Sequence, residues 1–158
     1  MKGNKKLLEK LNSLLADELT AINQYMVHSE MNDNWGYQRL HHWIEGRAVT
    51  EMKHAEKLIG RILFLEGTPV VTTLREIRIG PDVPKQLDSD LKLEHGAVRS
   101  YNEAVRLAVE VGDNASRELL ESILKDEDQH VNEIEERKDQ VGQTGLQIFL
   151  GHQIRKEE

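Results

Sequence analysis

Two Glu-x-x-His units, Glu51…His54 and Glu127…His130, stand 76 positions apart, and the residues leading up to them repeat at the same interval. That offset pairs Glu18 with Glu94, Tyr25 with Tyr101, Leu11 with Leu87, Leu15 with Leu91 and Ala21 with Ala97. In each half a lone glutamate precedes the paired one by 33 residues. The midpoints of those spacings fall at Asn34-Trp35 and at Glu110-Val111, beside Gly36 and Gly112. A chain that repeats in this way is most simply two helical hairpins of the same design, because residues three apart share one face of a helix.

Apolar periodicity supports that reading. Leu7, Leu8, Leu11, Leu14, Leu15, Ala21, Ile22 and Tyr25 recur at helical spacing behind Asn4, a good N-cap. Helices are expected over about 5–34, 37–65, 83–111 and 114–141, with Pro84 favourable in a first turn and Gly67, with Pro69 beyond it, at a helix end. Gly142 and Gly145 should bracket a short loop before a fifth helix over about 146–154. The whole chain, 1–158, reads as a single all-α domain. The segment from Glu66 to Asp82 is far longer than a turn between antiparallel helices needs. Extended, it covers roughly 50 Å, the length of a helix of about 30 residues. It is therefore expected to cross the full height of a four-helix bundle and leave helices two and three parallel.

Composition removes other classes. There is no cysteine, which excludes a disulfide framework, a thiolate-held iron site and a thiol nucleophile, and fits a reducing cytoplasm. The formal charge of −7 gives nucleic acid no electrostatic foothold. No uninterrupted apolar run is long enough for a membrane span or a secretory leader.

The duplication also predicts a site. In an αα-hairpin, residues equidistant from the turn lie level, here about 24 Å from it. Glu18 is then level with Glu51, and Glu94 with Glu127. Packing the hairpins together gathers four carboxylates and two imidazoles in one layer. Buried without cations, such carboxylates would repel and become protonated; two divalent metals remove the conflict. An oxygen- and imidazole-rich set without thiolate suits iron or manganese, and this arrangement is that of di-iron carboxylate bundles. Glu51 and Glu127 are placed to bridge, with Glu18 and His54 at one metal and Glu94 and His130 at the other. Tyr25 and Tyr101, on the same faces as their glutamates, read as hydrogen-bond donors to the ligands, as electron donors or as ordinary core tyrosines. Met52, about 100° round the helix from Glu51, points away from the core. With a stripe of Leu19, Ile22, Asn23 and Met26 turned similarly outward, it suggests a subunit interface.

The segments MKGNKKLLEKLNSLLADELTAINQY, EGRAVTEMKHAEKLIGRILFLEG and LESILKDEDQHVNEIE resemble the bacterioferritin family, and the resemblance runs over about 150 residues. It implies a ferritin-like four-helix bundle with a long crossover and a short fifth helix lining a four-fold channel, in a hollow cage of 24 subunits. It implies a ferroxidase that binds two iron ions per subunit at Glu18, Glu51, His54, Glu94, Glu127 and His130, oxidises them with dioxygen or hydrogen peroxide, and stores ferric mineral. Tyr25 is counted with that catalytic set. The resemblance further implies a b-type haem, one per two subunits, ligated by Met52 from each, with a ferredoxin as electron donor for iron release. An accessory iron site that some members carry on helix two falls here on Gly46 and Thr50, which cannot supply it. A di-iron peroxide reductase of the rubrerythrin kind, which stores nothing, is the alternative, although the cysteine-ligated iron domain usual there is missing. A DNA-protecting miniature ferritin fits less well, lacking the fifth helix. A haem-bearing bundle that binds metal passively remains the non-enzymatic reading.

Overall fold

A computed structural model describes residues 1–154; the last four residues of the expected domain lie outside the described residues. Among the described residues there are five helices and no strand: α1 (Lys5–Trp35), α2 (Gln38–Phe64), α3 (Val83–Glu110), α4 (Asn114–Thr144) and α5 (Leu146–Gln153). The ends follow local chemistry. Asn4 accepts from the Leu7 amide, Asp82 from the Lys85 amide and Asp113 from the Ser116 amide, so three helices begin with a side-chain cap. Gly36 closes α1 in the left-handed region at φ 81°, where a residue with a Cβ would be strained.

The expected loop between Gly142 and Gly145 is not there. Helix α4 runs through Gly142 to Thr144, with the Thr144 hydroxyl donating back to the Gln140 carbonyl, and only Gly145, at φ 84°, separates it from α5. One glycine in a helix costs roughly 1 kcal/mol, too little to end it.

The segment between α2 and α3 climbs along α1. Asn12 both donates to the Thr68 carbonyl and accepts from the Val70 amide; further up, Thr20, Gln24 and His28 accept from the amides of Arg75, Arg78 and Gly80. These polar side chains satisfy backbone groups of a strap that has no neighbouring strand to pair with. At its top, Asn32 reaches Gln86 and His28 reaches Asp90, which fixes the start of α3 against the end of α1. Helix α3 then descends antiparallel to α1, as the pairs Tyr25–Glu94, Glu18–Tyr101 and Lys10–Glu103 show. It therefore runs parallel to α2.

The core has two apolar halves. Leu7, Leu11, Leu14, Leu58, Ile62, Leu120 and Ile123 belong to the one near the start of α1. Ala21, Leu40, Ile44, Leu87, Ile134 and Phe149 form the other, which α5 joins through Phe149. The buried charged residues of the duplication lie between them.

Candidate metal centre

All six residues of the duplicated pattern are buried at 3% exposure or less: Glu18, Glu51, His54, Glu94, Glu127 and His130. Each Glu-x-x-His pair shares a helix face on α2 or α4, and the lone glutamates come from α1 and α3. The Nδ1 atom of His54 faces three carboxylates, at 2.9 Å from Glu127 Oε1, 3.0 Å from Glu51 Oε2 and 3.7 Å from Glu18 Oε1. The Nδ1 atom of His130 mirrors it, at 3.0 Å from Glu51 Oε1, 3.4 Å from Glu94 Oε1 and 3.8 Å from Glu127 Oε2. Glu51 and Glu127 thus give one oxygen to each half, while Glu18 and Glu94 serve one half apiece. The imidazole rings lie nearly parallel, 6.2 Å apart between centroids.

A ring nitrogen carries at most one hydrogen, so it cannot satisfy three carboxylate oxygens at once. One oxygen of each glutamate is buried without a hydrogen bond: Glu18 Oε2 and Glu94 Oε2, and also Glu51 Oε1 and Glu127 Oε1, which lie within 3.0 Å of an imidazole nitrogen but without hydrogen-bond geometry. Such oxygens are costly to bury unpaired. The two sets Glu18, Glu51, His54, Glu127 and Glu51, Glu94, Glu127, His130 each bring their ligand atoms within 4.8 Å of one another. Orphaned oxygens converging with imidazole nitrogens in two overlapping sets fit a pair of divalent cations.

The protonation of the layer without cations reports the same strain. Burial, then the nearby Glu51 carboxylate, pushes the Glu18 carboxyl well above the usual range. Burial, then Glu94 and Glu51, does the same to Glu127. Burial also opposes charge on Glu51, but the Glu18 carboxyl and the two imidazoles beside it outweigh burial and hold Glu51 well below that range. For His54, burial disfavours the cation, yet the Glu18 and Glu51 carboxylates beside it raise it to about 10; His130 is raised for the same reasons by Glu51 and Glu94. Protons occupy the place where cations would balance the carboxylates.

Two tyrosines cross between the halves. The Tyr25 hydroxyl of α1 donates to Glu94 of α3, and the Tyr101 hydroxyl of α3 donates to Glu18 of α1. Burial, followed by the adjoining glutamates, keeps both phenols protonated far above neutral pH, so both remain donors. Asp126, which the sequence pattern does not single out, accepts from His54 Nε2 at 2.9 Å and orients that ring. No carboxylate among the described residues pairs with the corresponding nitrogen of His130. The signal for Asp126 is weak, since an acidic residue beside a ligand and 44% exposed looks like ordinary surface.

A cavity of about 260 Å³ leads from the surface between α1, α3 and the strap to Glu18, Glu51 and Glu127. Its mouth carries Arg75, Arg78, Lys92 and Arg99 beside Asp17 and Glu76. Met52 lies away from the layer at 42% exposure, and Met26, Val27 and Val49 are also exposed on the α1–α2 hairpin. Leu19 and Ile22, expected in that outward stripe, are instead half-buried against the lower core.

Fold and buried carboxylate–histidine layer together define a ferritin-like bundle, and residues 8–157 match the ferritin-like domain family. Three bacterioferritins are similar along nearly the whole chain. The one from Brucella melitensis is 40% identical over 149 residues, 94% of this chain and 92% of that protein. The one from Rhodobacter capsulatus is 41% identical with the same coverage, and that from Mycolicibacterium paratuberculosis 36% identical over 94% of both chains. The chain belongs to the bacterioferritin family.

Proposed function

We propose that this chain, acting as a single ferritin-like domain, is an iron-storing ferroxidase. The observation that carries this reading is the pair of imidazole nitrogens, each facing three carboxylate oxygens, with Glu51 and Glu127 shared between them. Ferrous ions are the substrate. One is held by Glu18 and His54, the other by Glu94 and His130, with Glu51 and Glu127 across both. Each ferrous ion gives up one electron, so a pair supplies together the two that reduce dioxygen to the level of peroxide, or hydrogen peroxide to water. Carboxylates favour the ferric product because their charge is better compensated by a trivalent ion. Tyr25 and Tyr101 hold the terminal glutamates through hydrogen bonds and keep them aimed inward. Asp126 fixes the orientation of His54.

Storage follows from assembly of 24 copies into a cage, with α5 at its four-fold channels and the cytoplasm as its compartment. Met52 fits a haem ligand: its thioether is exposed on an apolar surface, and two copies facing each other would offer one sulfur from each side. A b-type haem bound there supplies reversible one-electron chemistry, suited to a ferredoxin donor during iron release. Glu127→Ala tests the centre. It is expected to abolish rapid ferrous oxidation in an assembled protein, and undiminished oxidation would refute the assignment. Met52→Leu is expected to give cages without haem and with oxidation intact; a normal haem spectrum from that variant would remove Met52 from the proposal.

A further inference from the structure

A second cluster of ligating side chains stands apart from the buried layer. His41, His42 and Glu45 lie near the start of α2, about 9–15 Å along the helix from Glu51 at 1.5 Å per residue. One ligand atom from each comes within 4.8 Å of the others. The His41 Nε2 atom is 3.6 Å from Glu45 Oε2, and the rings of His41 and His42 are 5.0 Å apart between centroids.

What makes this more than a charged surface is the way His41 is held. Its Nδ1 lies 3.0 Å from the backbone carbonyl of Ser29 and 2.9 Å from the Ser29 hydroxyl. That hydroxyl donates to the His41 carbonyl, leaving its lone pairs for the ring. A carbonyl only accepts, so Nδ1 carries the hydrogen and the neutral ring keeps its lone pair on Nε2. The lone pair is aimed at Glu45. A histidine whose far nitrogen donates to a backbone carbonyl, with the near one free and facing a carboxylate, is oriented as metal-ligating histidines are. The His41 side chain is 12% exposed and thus fixed, whereas Glu45, at 56%, can close onto an ion. As an exposed i,i+4 contact alone, it would contribute little to stability.

We infer that His41, His42 and Glu45 form a mononuclear binding site for a divalent transition ion. Two imidazoles and one carboxylate suit Fe(II), Co(II), Cu(II) or Zn(II), and disfavour Mg(II) and Ca(II), which prefer oxygen alone. With three protein donors, the remaining coordination positions are left to water. The site shares no residue with the buried layer and stands whether or not that layer oxidises iron.

The test is equilibrium dialysis of the assembled, metal-free protein against Co(II), counting bound ions per chain in the presence of excess Mg(II). His42→Ala and Glu45→Gln, both substitutions of exposed side chains, are each expected to remove one Co(II) equivalent per chain, or to weaken it at least tenfold. The other equivalents should keep their wild-type isotherm, which also reports an intact fold. An unchanged count in both variants would show a solvated side-chain cluster only and overturn the site. Loss of every equivalent in both, with native circular dichroism, would overturn it as well. As an independent check, wild-type protein loaded with Cu(II) should show electron paramagnetic resonance coupling to two nitrogens on one copper, because each half of the buried layer offers one imidazole. Absence of that coupling contradicts the inference.

Discussion

Replacing Glu127 with glutamine should move stability in opposite directions, depending on whether metal is bound. Without metal, burial beside Glu94 and Glu51 raises the Glu127 carboxyl well above its usual range. A raised carboxyl costs stability at every pH above its unfolded value of about 4.3, and the cost disappears as the pH falls below that. A neutral amide of the same shape removes it. For a poorly satisfied buried group, that relief is on the order of 1–3 kcal/mol. At 2–4 °C per kcal/mol for a chain of this size, the metal-free melting midpoint of Glu127→Gln rises by roughly 2–12 °C at pH 7. The gap narrows as the pH is lowered towards 4. With Zn(II) at 100 times its dissociation constant, each bound ion stabilises by about 2.7 kcal/mol. Two ions then raise the wild-type midpoint by roughly 10–20 °C. Glu127 turns one oxygen to each half of the layer, so its loss weakens both ions. If each dissociation constant rises about 100-fold, less than 1 kcal/mol of the metal effect survives, a shift of about 3 °C or less. Scanning calorimetry with and without Zn(II) reads both effects. A variant less stable than wild type without metal, yet with the full Zn(II) shift, would refute the reasoning.

Further outcomes follow from the same geometry. Binding two Zn(II) at pH 7 should release at least one proton per chain, from His54, whose value lies near 10, with a further contribution from the raised His130; calorimetry in buffers of different ionisation enthalpy counts them. Zn(II) affinity should accordingly climb as the pH rises from about 6 to about 8, below the range in which free Zn(II) hydrolyses, and a flat profile would contradict the protonated layer. Asp126→Ala should lower Zn(II) affinity by about 10–100-fold through the freed His54 ring, with little change in metal-free stability. Gly80→Ala should destabilise by about 1–3 kcal/mol in thermal melts, because its Cβ would lie 2.3 Å from the Gln86 amide nitrogen, while Zn(II) binding stays as in wild type.

The convergence of the six buried side chains was legible because duplication writes it twice. Glu18, Glu51 and His54 mean little alone, but their repetition at one offset as Glu94, Glu127 and His130 locates both hairpin turns and sets the six side chains level. The strap was legible from its length, since no turn needs so many residues. What held it to α1 was not. Thr20, Gln24, His28 and Asn32 recur every four residues on one buried face, a polar ladder that an apolar count passes over. The tyrosine partners were hidden for another reason. Tyr25 and Tyr101 share a face with Glu18 and Glu94 of their own halves, but α1 and α3 run antiparallel, so each hydroxyl meets the glutamate of the other. Gly142 misled because glycine was read as a helix end, when the hydrogen bonds on either side of it outweigh its entropy. Asp126 and Glu45 sit on exposed surfaces where acidic residues are the rule, and only the nitrogens they face distinguish them.

The central claim is tested most directly by titrating the metal-free assembly with anaerobic ferrous iron, admitting oxygen, and following oxidation by stopped-flow absorbance. A fast phase saturating near two irons per chain, followed by slower uptake of far more iron that stays with the protein, is the predicted result. A fast phase with no further iron retained would point to a peroxide reductase without storage, and no fast phase at all would contradict the ferroxidase reading of the six-residue layer.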